Sequence, residues 1–266
     1  MKKQFHIFLT AVMFYTRIPC PSWVNHSEEM LNRATIYFPF IGWIVGGFGA
    51  LIFGVSHLVF PNSVAILLSM ISTILLTGAF HEDGFGDVCD GFGGGWTKEK
   101  ILTIMKDSRM GAYGVIGLLA ILAMKYASID GILSLNRPFS ALFDGIIALL
   151  IAHPLSRLVA VWMIFTMEYA RENDADGKAK PVAKRLPFSD FLVACFFGLA
   201  PLSMAALFYQ NPCILLVVLP LFILKKYLEY YFKKWIDGYT GDCLGATQQM
   251  AEVLIYLSLL IIWKFC

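Results

Sequence analysis

An all-α, polytopic integral membrane bundle is the fold class this sequence predicts, and three observations carry it. Of its 266 residues, 58% are hydrophobic and only 15% charged. Mean hydropathy is +0.67, more apolar than a water-facing surface of this size allows. About seven apolar runs follow one another, each near the roughly 20 residues that cross a bilayer.

The first element, residues 5–15, is too short to span and has no small-residue cleavage site. Flanked by Lys2, Lys3 and Arg17, it reads as an amphipathic helix lying in the cytoplasmic interface. The runs at 36–60, 63–80, 111–129, 139–165, 191–209, 213–231 and 244–263 then predict about seven spans. The second is shortest and is expected to continue as helix into the acidic segment that follows. With the N-terminus inside, about 17 of the 21 Lys and Arg residues fall in cytoplasmic segments. Every long polar loop then faces the cytosol. A single membrane domain, 1–266, is expected, with 81–110 and 232–246 as its cytoplasmic active-site segments. Six cysteines lie singly, without CxxC spacing, and read as free thiols. The net charge of +2 gives no basis for binding nucleic acid; the surface is one for a lipid bilayer.

Chemistry concentrates in His81–Asp90, HEDGFGDVCD. On a helix, Asp83, Asp87 and Asp90 fall within about one sixth of a turn of each other. Stacked carboxylates repel, and a divalent cation turns that repulsion into binding. Glu82 points about 100° away, either supporting this face or exposed. His81 lies opposite, as an interfacial side chain or a general base. The run Gly91-Phe92-Gly93-Gly94-Gly95 is expected to stop the helix. Beyond it, 98–110 reads as a surface helix ending in Lys106, Asp107, Ser108 and Arg109. Mg²⁺-binding carboxylates beside phosphate-binding cations are what phosphoryl transfer requires.

A second motif, GYTGDCLGA at 238–246, opens the last apolar run. Asp242 there is either a helix N-cap or a metal ligand. Arg157, with His153 one turn before it, sits inside an apolar run, where a charge faces a polar cavity, an acid or a phosphate. Arg171, Lys178, Lys180, Lys184 and Arg185 form a basic loop suited to lipid headgroups or to substrate.

Together these residues resemble the cobalamin synthase family (cobalamin-5′-phosphate synthase, adenosylcobinamide-GDP ribazoletransferase). The matching stretches are His81–Gly91 and Lys106–Gly114, with Tyr15-Thr16-Arg17-Ile18-Pro19, Phe38-Pro39 with Gly42, and Ser156-Arg157. Tyr169-Ala170-Arg171-Glu172, Thr240-Gly241-Asp242 and Leu244-Gly245-Ala246 complete the series. Glu82 departs from a leucine common in the family, and Asp237 from a glycine. The resemblance implies attack of α-ribazole, or its 5′-phosphate, on adenosylcobinamide-GDP, giving adenosylcobalamin, or its phosphate, and GMP. It implies Mg²⁺ on Asp83, Asp87, Asp90 and Asp242, and catalysis by Asp83, Asp87, Arg109 and His81. Substrate phosphates would meet Lys106, Ser108, Arg109, Arg157, Arg171 and Thr240. The expected place is a bacterial or archaeal cytoplasmic (inner) membrane, with the site facing the cytoplasm. A homo-oligomer, or association with other cobalamin-assembly enzymes, stays open.

Two other enzyme classes and one transport class compete. A CDP-alcohol phosphotransferase needs Ala-Arg after its Asp-Gly pair and a second DxxxD, which this chain lacks. An isoprenyl transferase needs two aspartate motifs. An ion-coupled transporter is favoured only by His153 and Arg157, because the other acids gather at one edge.

Overall fold

Inside a bilayer a helix satisfies its own amides, so apolar runs fold as helices. The computed structural model describes residues 2–24, 27–135, 139–170 and 186–266. Helices α1 (Lys2–Tyr15), α2 (Glu28–Ala34), α3 (Phe38–His57), α4 (Asn62–Thr77), α5 (Phe80–Gly94) and α6 (Lys98–Ile104) form the first half. Helices α7 (Ala112–Leu133), α8 (Ala141–Thr166), α9 (Phe188–Phe208), α10 (Val218–Ile236) and α11 (Gly241–Phe265) complete it. Among the described residues there is no strand, only an isolated bridge between Tyr169 and Tyr239.

The span count differs from the sequence expectation. Among the described residues, five helical stretches are long and apolar enough to cross a membrane: Glu29–His57, α7, α8, α9 and α11. A sixth exists only if α4 and α5 are one broken span. The expected span at 213–231 is not among them. Pro212 opens a 3₁₀ turn there, and the second half of α10 carries Lys225, Lys226, Glu229, Lys233 and Lys234.

Nor does the second run continue straight into the acidic segment. Gly78 (φ 68°) and Ala79 (φ 58°) are both left-handed, and α5 leaves α4 at 89°. An alanine in that region is disfavoured by about 1–2 kcal/mol. Its amide compensates by bonding to the Ile74 carbonyl at 2.9 Å. Arg17 braces the corner: its amide donates to the Leu76 carbonyl at 2.7 Å and its guanidinium lies against Gly78.

The glycine run also behaves differently: α5 continues through Gly91, Phe92, Gly93 and Gly94 and stops at Gly95. Gly91 and Gly93 face Met105 and the Tyr113 ring, so they serve packing within the chain. The surface helix after them is shorter than expected, ending at Ile104.

Helix α8 is the central post, buried along most of its length. It packs on α3, where a side-chain carbon at Gly42 would stand 2.5 Å from Pro154 Cα. Such close backbone approach is how helices associate when lipid offers no hydrophobic gain. Helix α11 packs against α5, α7 and α8, which fixes where the two acidic motifs meet.

Candidate active site

At one end of the bundle α5 crosses the start of α11 over small residues. A side-chain carbon at Gly84 would stand 2.9 Å from the Cα of Asp242, and one at Gly245 would stand 3.1 Å from the His81 carbonyl oxygen. That crossing sets Asp242 against the helix that carries Asp83 and Asp87. Asp83 is exposed, while Asp87 and Asp242 are half-buried. The N-cap of α11 is Thr240, not Asp242: the Thr240 hydroxyl accepts from the Cys243 amide at 3.3 Å. It also donates to Asp242 Oδ2 at 3.3 Å. Relieved of capping, Asp242 stands in the first turn of α11, its backbone against α5 at Gly84.

Asp90 has a different partner. Its Oδ2 accepts from the Gly111 amide at 2.7 Å and its Oδ1 from the Gly114 amide at 2.8 Å. It therefore caps α7, whose own N-cap, Gly111, has no side chain to do so. The same bonds tether the preceding loop, which carries Lys106, Ser108 and Arg109, all exposed. Arg109 clamps Asp107, with Nη2 to Oδ2 at 2.6 Å and Nε to Oδ1 at 3.0 Å. Those hydrogen bonds hold the Asp107 carboxyl down at about 2. Because the shift is downward, the clamp persists above that pH and is lost only as pH falls through it.

Two more motifs reach the same end. The Tyr239 amide donates to the Glu168 carbonyl at 3.1 Å, and the Ala170 amide to the Tyr239 carbonyl at 2.9 Å. Gly238 lies directly on that Glu168 carbonyl, which leaves no room for a side chain. Lys98, at the head of α6, pairs with Asp237 at 3.0 Å. Arg171, expected to meet substrate phosphate, lies outside the described residues.

Among the described residues, no three His, Cys, Asp or Glu groups stand close enough to hold a metal ion by themselves. Asp83, Asp87 and Asp242 nonetheless offer hard oxygen donors on adjoining backbones. Mg²⁺ is commonly held by one or two carboxylates plus substrate phosphates, keeping several waters. The donor chemistry thus fits a site completed by a pyrophosphate substrate rather than a closed cage. Asp90 fits that set least, because both its oxygens are engaged by backbone amides.

His81 and Arg157 are brought together with each other and not with the exposed aspartates. His81 is 2% exposed and stacks on Phe38 at 5.6 Å. Arg157 is 1% exposed; its Nη1 donates to the His153 carbonyl at 2.9 Å, and its guanidinium lies over the Phe38 ring. Around them runs a buried polar chain that sequence reasoning missed. Lys125 pairs with Glu252 at 3.0 Å and donates to Gln249 at 3.0 Å. Gln248 donates to Glu252 at 2.7 Å and to Ser156 at 3.1 Å, and Gln249 donates to Glu82 at 2.9 Å. Glu82 is thus buried and bonded, not exposed. The signal for Lys125 and Glu252 was available: each is a charge inside an apolar run, the argument that singled out Arg157.

Comparison with known proteins identifies the family. The sequence model of the cobalamin-5-phosphate synthase family matches residues 7–260. A Leptospira interrogans protein named adenosylcobinamide-GDP ribazoletransferase is 42% identical over 266 residues, covering 99% of this chain and 98% of that protein. Proteins of the same name from Shewanella frigidimarina and Ralstonia pickettii are 42% and 44% identical. The first covers 97% of this chain and 95% of the relative, the second 98% and 97%. No solved structure matches. With the family match running through all the segments that converge on α5 and α11, the chain belongs to the cobalamin-5-phosphate synthase family.

Proposed function

We propose that this chain is the transferase of nucleotide-loop assembly in cobalamin biosynthesis. It moves the adenosylcobinamide-phosphate moiety from adenosylcobinamide-GDP to α-ribazole, or its 5′-phosphate, and releases GMP. The observation that carries the reading is the crossing of α5 and α11, which gathers Asp83, Asp87 and Asp242 at one end of the bundle. Asp83, Asp87 and Asp242 are the residues that would hold Mg²⁺. When bound there, Mg²⁺ would offset the charge of the pyrophosphate and of the departing GMP.

The chain's own residues supply the rest. The first amides of α11 around Gly241, where no other atoms crowd the backbone, suit a phosphate oxygen. Arg109 and Lys106, on the loop tethered by Asp90, suit the oxygens whose charge grows as the bond to GMP breaks. An aspartate of α5 is the favoured base for the ribazole hydroxyl, because His81 is closed inside the bundle. The excess of Lys and Arg in the segments at this end supports a cytoplasmic orientation in the cell's inner membrane.

The test is a mass-spectrometric assay of membranes containing the protein, given adenosylcobinamide-GDP, α-ribazole and Mg²⁺. Adenosylcobalamin with stoichiometric GMP, lost on adding EDTA or in Asp83→Ala, is the expected result. Folded protein that makes no product yet consumes a CDP-linked donor would replace this reading with a CDP-alcohol phosphotransferase.

A further inference from the structure

Three buried side-chain atoms among the described residues lack a hydrogen-bond partner and belong to one place: His81 Nε2, Glu82 Oε2 and Arg157 Nε. Their residues are 2%, 8% and 1% exposed. All three line a single internal cavity of about 10 Å³, shared with Lys125, Gln249 and Glu252. Partnerless polar atoms in an apolar interior are disfavoured by about 1–3 kcal/mol each. The cavity has room for about one water, and such a water accepts or donates about three bonds. The charges around it balance, with Lys125 and Arg157 facing Glu82 and Glu252.

This cluster sits where α5 most needs support. The 89° corner at Gly78 and Ala79 removes the stiffness that a continuous helix would give α5. Its position relative to α11 then depends on contacts that α5 makes itself, the close crossing at Gly84 and Gly245 and the bonds of its side chains. Glu82 is next to Asp83 and makes a side-chain bond from α5 to α11, through Gln249 at 2.9 Å. Gln249 in turn accepts from Lys125 of α7. One carboxylate thereby connects α5 to α11 and, through Gln249, to α7.

We propose that Glu82 is the positioning residue of the aspartate helix. One of its oxygens is held by Gln249 and the other by a single trapped water shared with His81 and Arg157, which fixes where Asp83 and Asp87 stand relative to Asp242. This rests on the assignment of Asp83 and Asp87 as reacting-site residues. Glu82 touches no substrate; it acts through the register of α5. A shift of about 1 Å at such a site lowers turnover on the order of 100-fold.

The experiment compares parent, Glu82→Gln and Glu82→Ala proteins in nanodiscs by hydrogen–deuterium exchange and by single-turnover kinetics. Glu82→Gln keeps an acceptor for Gln249 and a polar group toward the water. Glu82→Ala removes both. In Glu82→Ala, amides of 80–94 are expected to exchange at least about 10-fold faster while those of 141–166 stay as in the parent. Its turnover falls about 100-fold at saturating donor, and Glu82→Gln recovers most of both losses. Unchanged exchange in 80–94, uniform acceleration across all helices, or a Glu82→Gln protein as impaired as Glu82→Ala would each overturn the proposal. Exchange is read without any reaction, so selective loosening of α5 in a protein that fails to make adenosylcobalamin would sink the proposed function and leave the role of Glu82 standing.

Discussion

Asp83 and Asp90 are chemically identical and seven positions apart on one helix, yet their surroundings give them different tasks. Asp90 spends both oxygens on the Gly111 and Gly114 amides. Asp83 faces solvent at the α5–α11 crossing. Asp83→Asn should therefore unfold at the parent temperature in detergent and lose on the order of 100-fold or more in turnover, as expected when a group acting on reacting charge is neutralised. Asp90→Ala should lower stability by about 1–2 kcal/mol, because it uncaps α7 and frees the loop carrying Arg109. Thermal melts and turnover of both proteins give the comparison, and a stable, active Asp83→Asn would remove Asp83 from the reacting site. The three-residue carboxylate stripe was legible in the spacing alone. Which member had become a cap was not, since the amides it binds lie more than twenty positions away and belong to another helix.

At the scale of elements, the decisive contact is the crossing of α5 on α11. Gly84 has Asp242 backbone at 2.9 Å from where a side-chain carbon would stand, so neither partner can yield by changing rotamer. Gly84→Ala forces the helices apart and should destabilise by about 1–3 kcal/mol, the range for overpacking. It should lower turnover as well, since the same displacement separates Asp242 from Asp83 and Asp87. Gly47 is the matched control: it is also helical, and a side-chain carbon there meets nothing within 4 Å. Gly47→Ala should be neutral or stabilising by up to about 1 kcal/mol through helix propensity alone. If both variants melt and turn over alike, the crossing does not set the site. Sequence periodicity locates helices but not the corner between α4 and α5. Ala79 is a strong helix former whose left-handed backbone is imposed by its tertiary setting, including the brace from Arg17. Likewise the glycines after Asp90 read as a stop, while in the fold Met105 and Tyr113 pack onto them and the helix runs on.

For the whole molecule, orientation is the property that decides which compartment supplies the substrates, and α11 allows it to be measured. Its 25 residues extend about 37 Å, more than the roughly 30 Å of hydrocarbon in a bilayer. Its first turn holds Asp242 at the end where α5 crosses it, so Cys266, exposed beyond its last turn, lies at the opposite end. Lys100 of α6 is exposed at the same end as Asp242, tied there through the Lys98–Asp237 pair two residues earlier. Two single-cysteine proteins built on a background with the other cysteines replaced by serine report the two ends: one retains Cys266, the other carries Lys100→Cys. A membrane-impermeant maleimide should label Cys266 in intact cells, and should label Lys100→Cys only after the inner membrane is opened. Labelling of both from outside would mean that α11 does not cross. The reverse pattern would put the aspartates outside the cell, away from the cytosolic nucleotide pool that a GDP-linked donor draws on. The expected pattern follows from the excess of Lys and Arg around α6 and α10 and in the sequence from Arg171 to Arg185, because short cationic loops are retained on the cytoplasmic side.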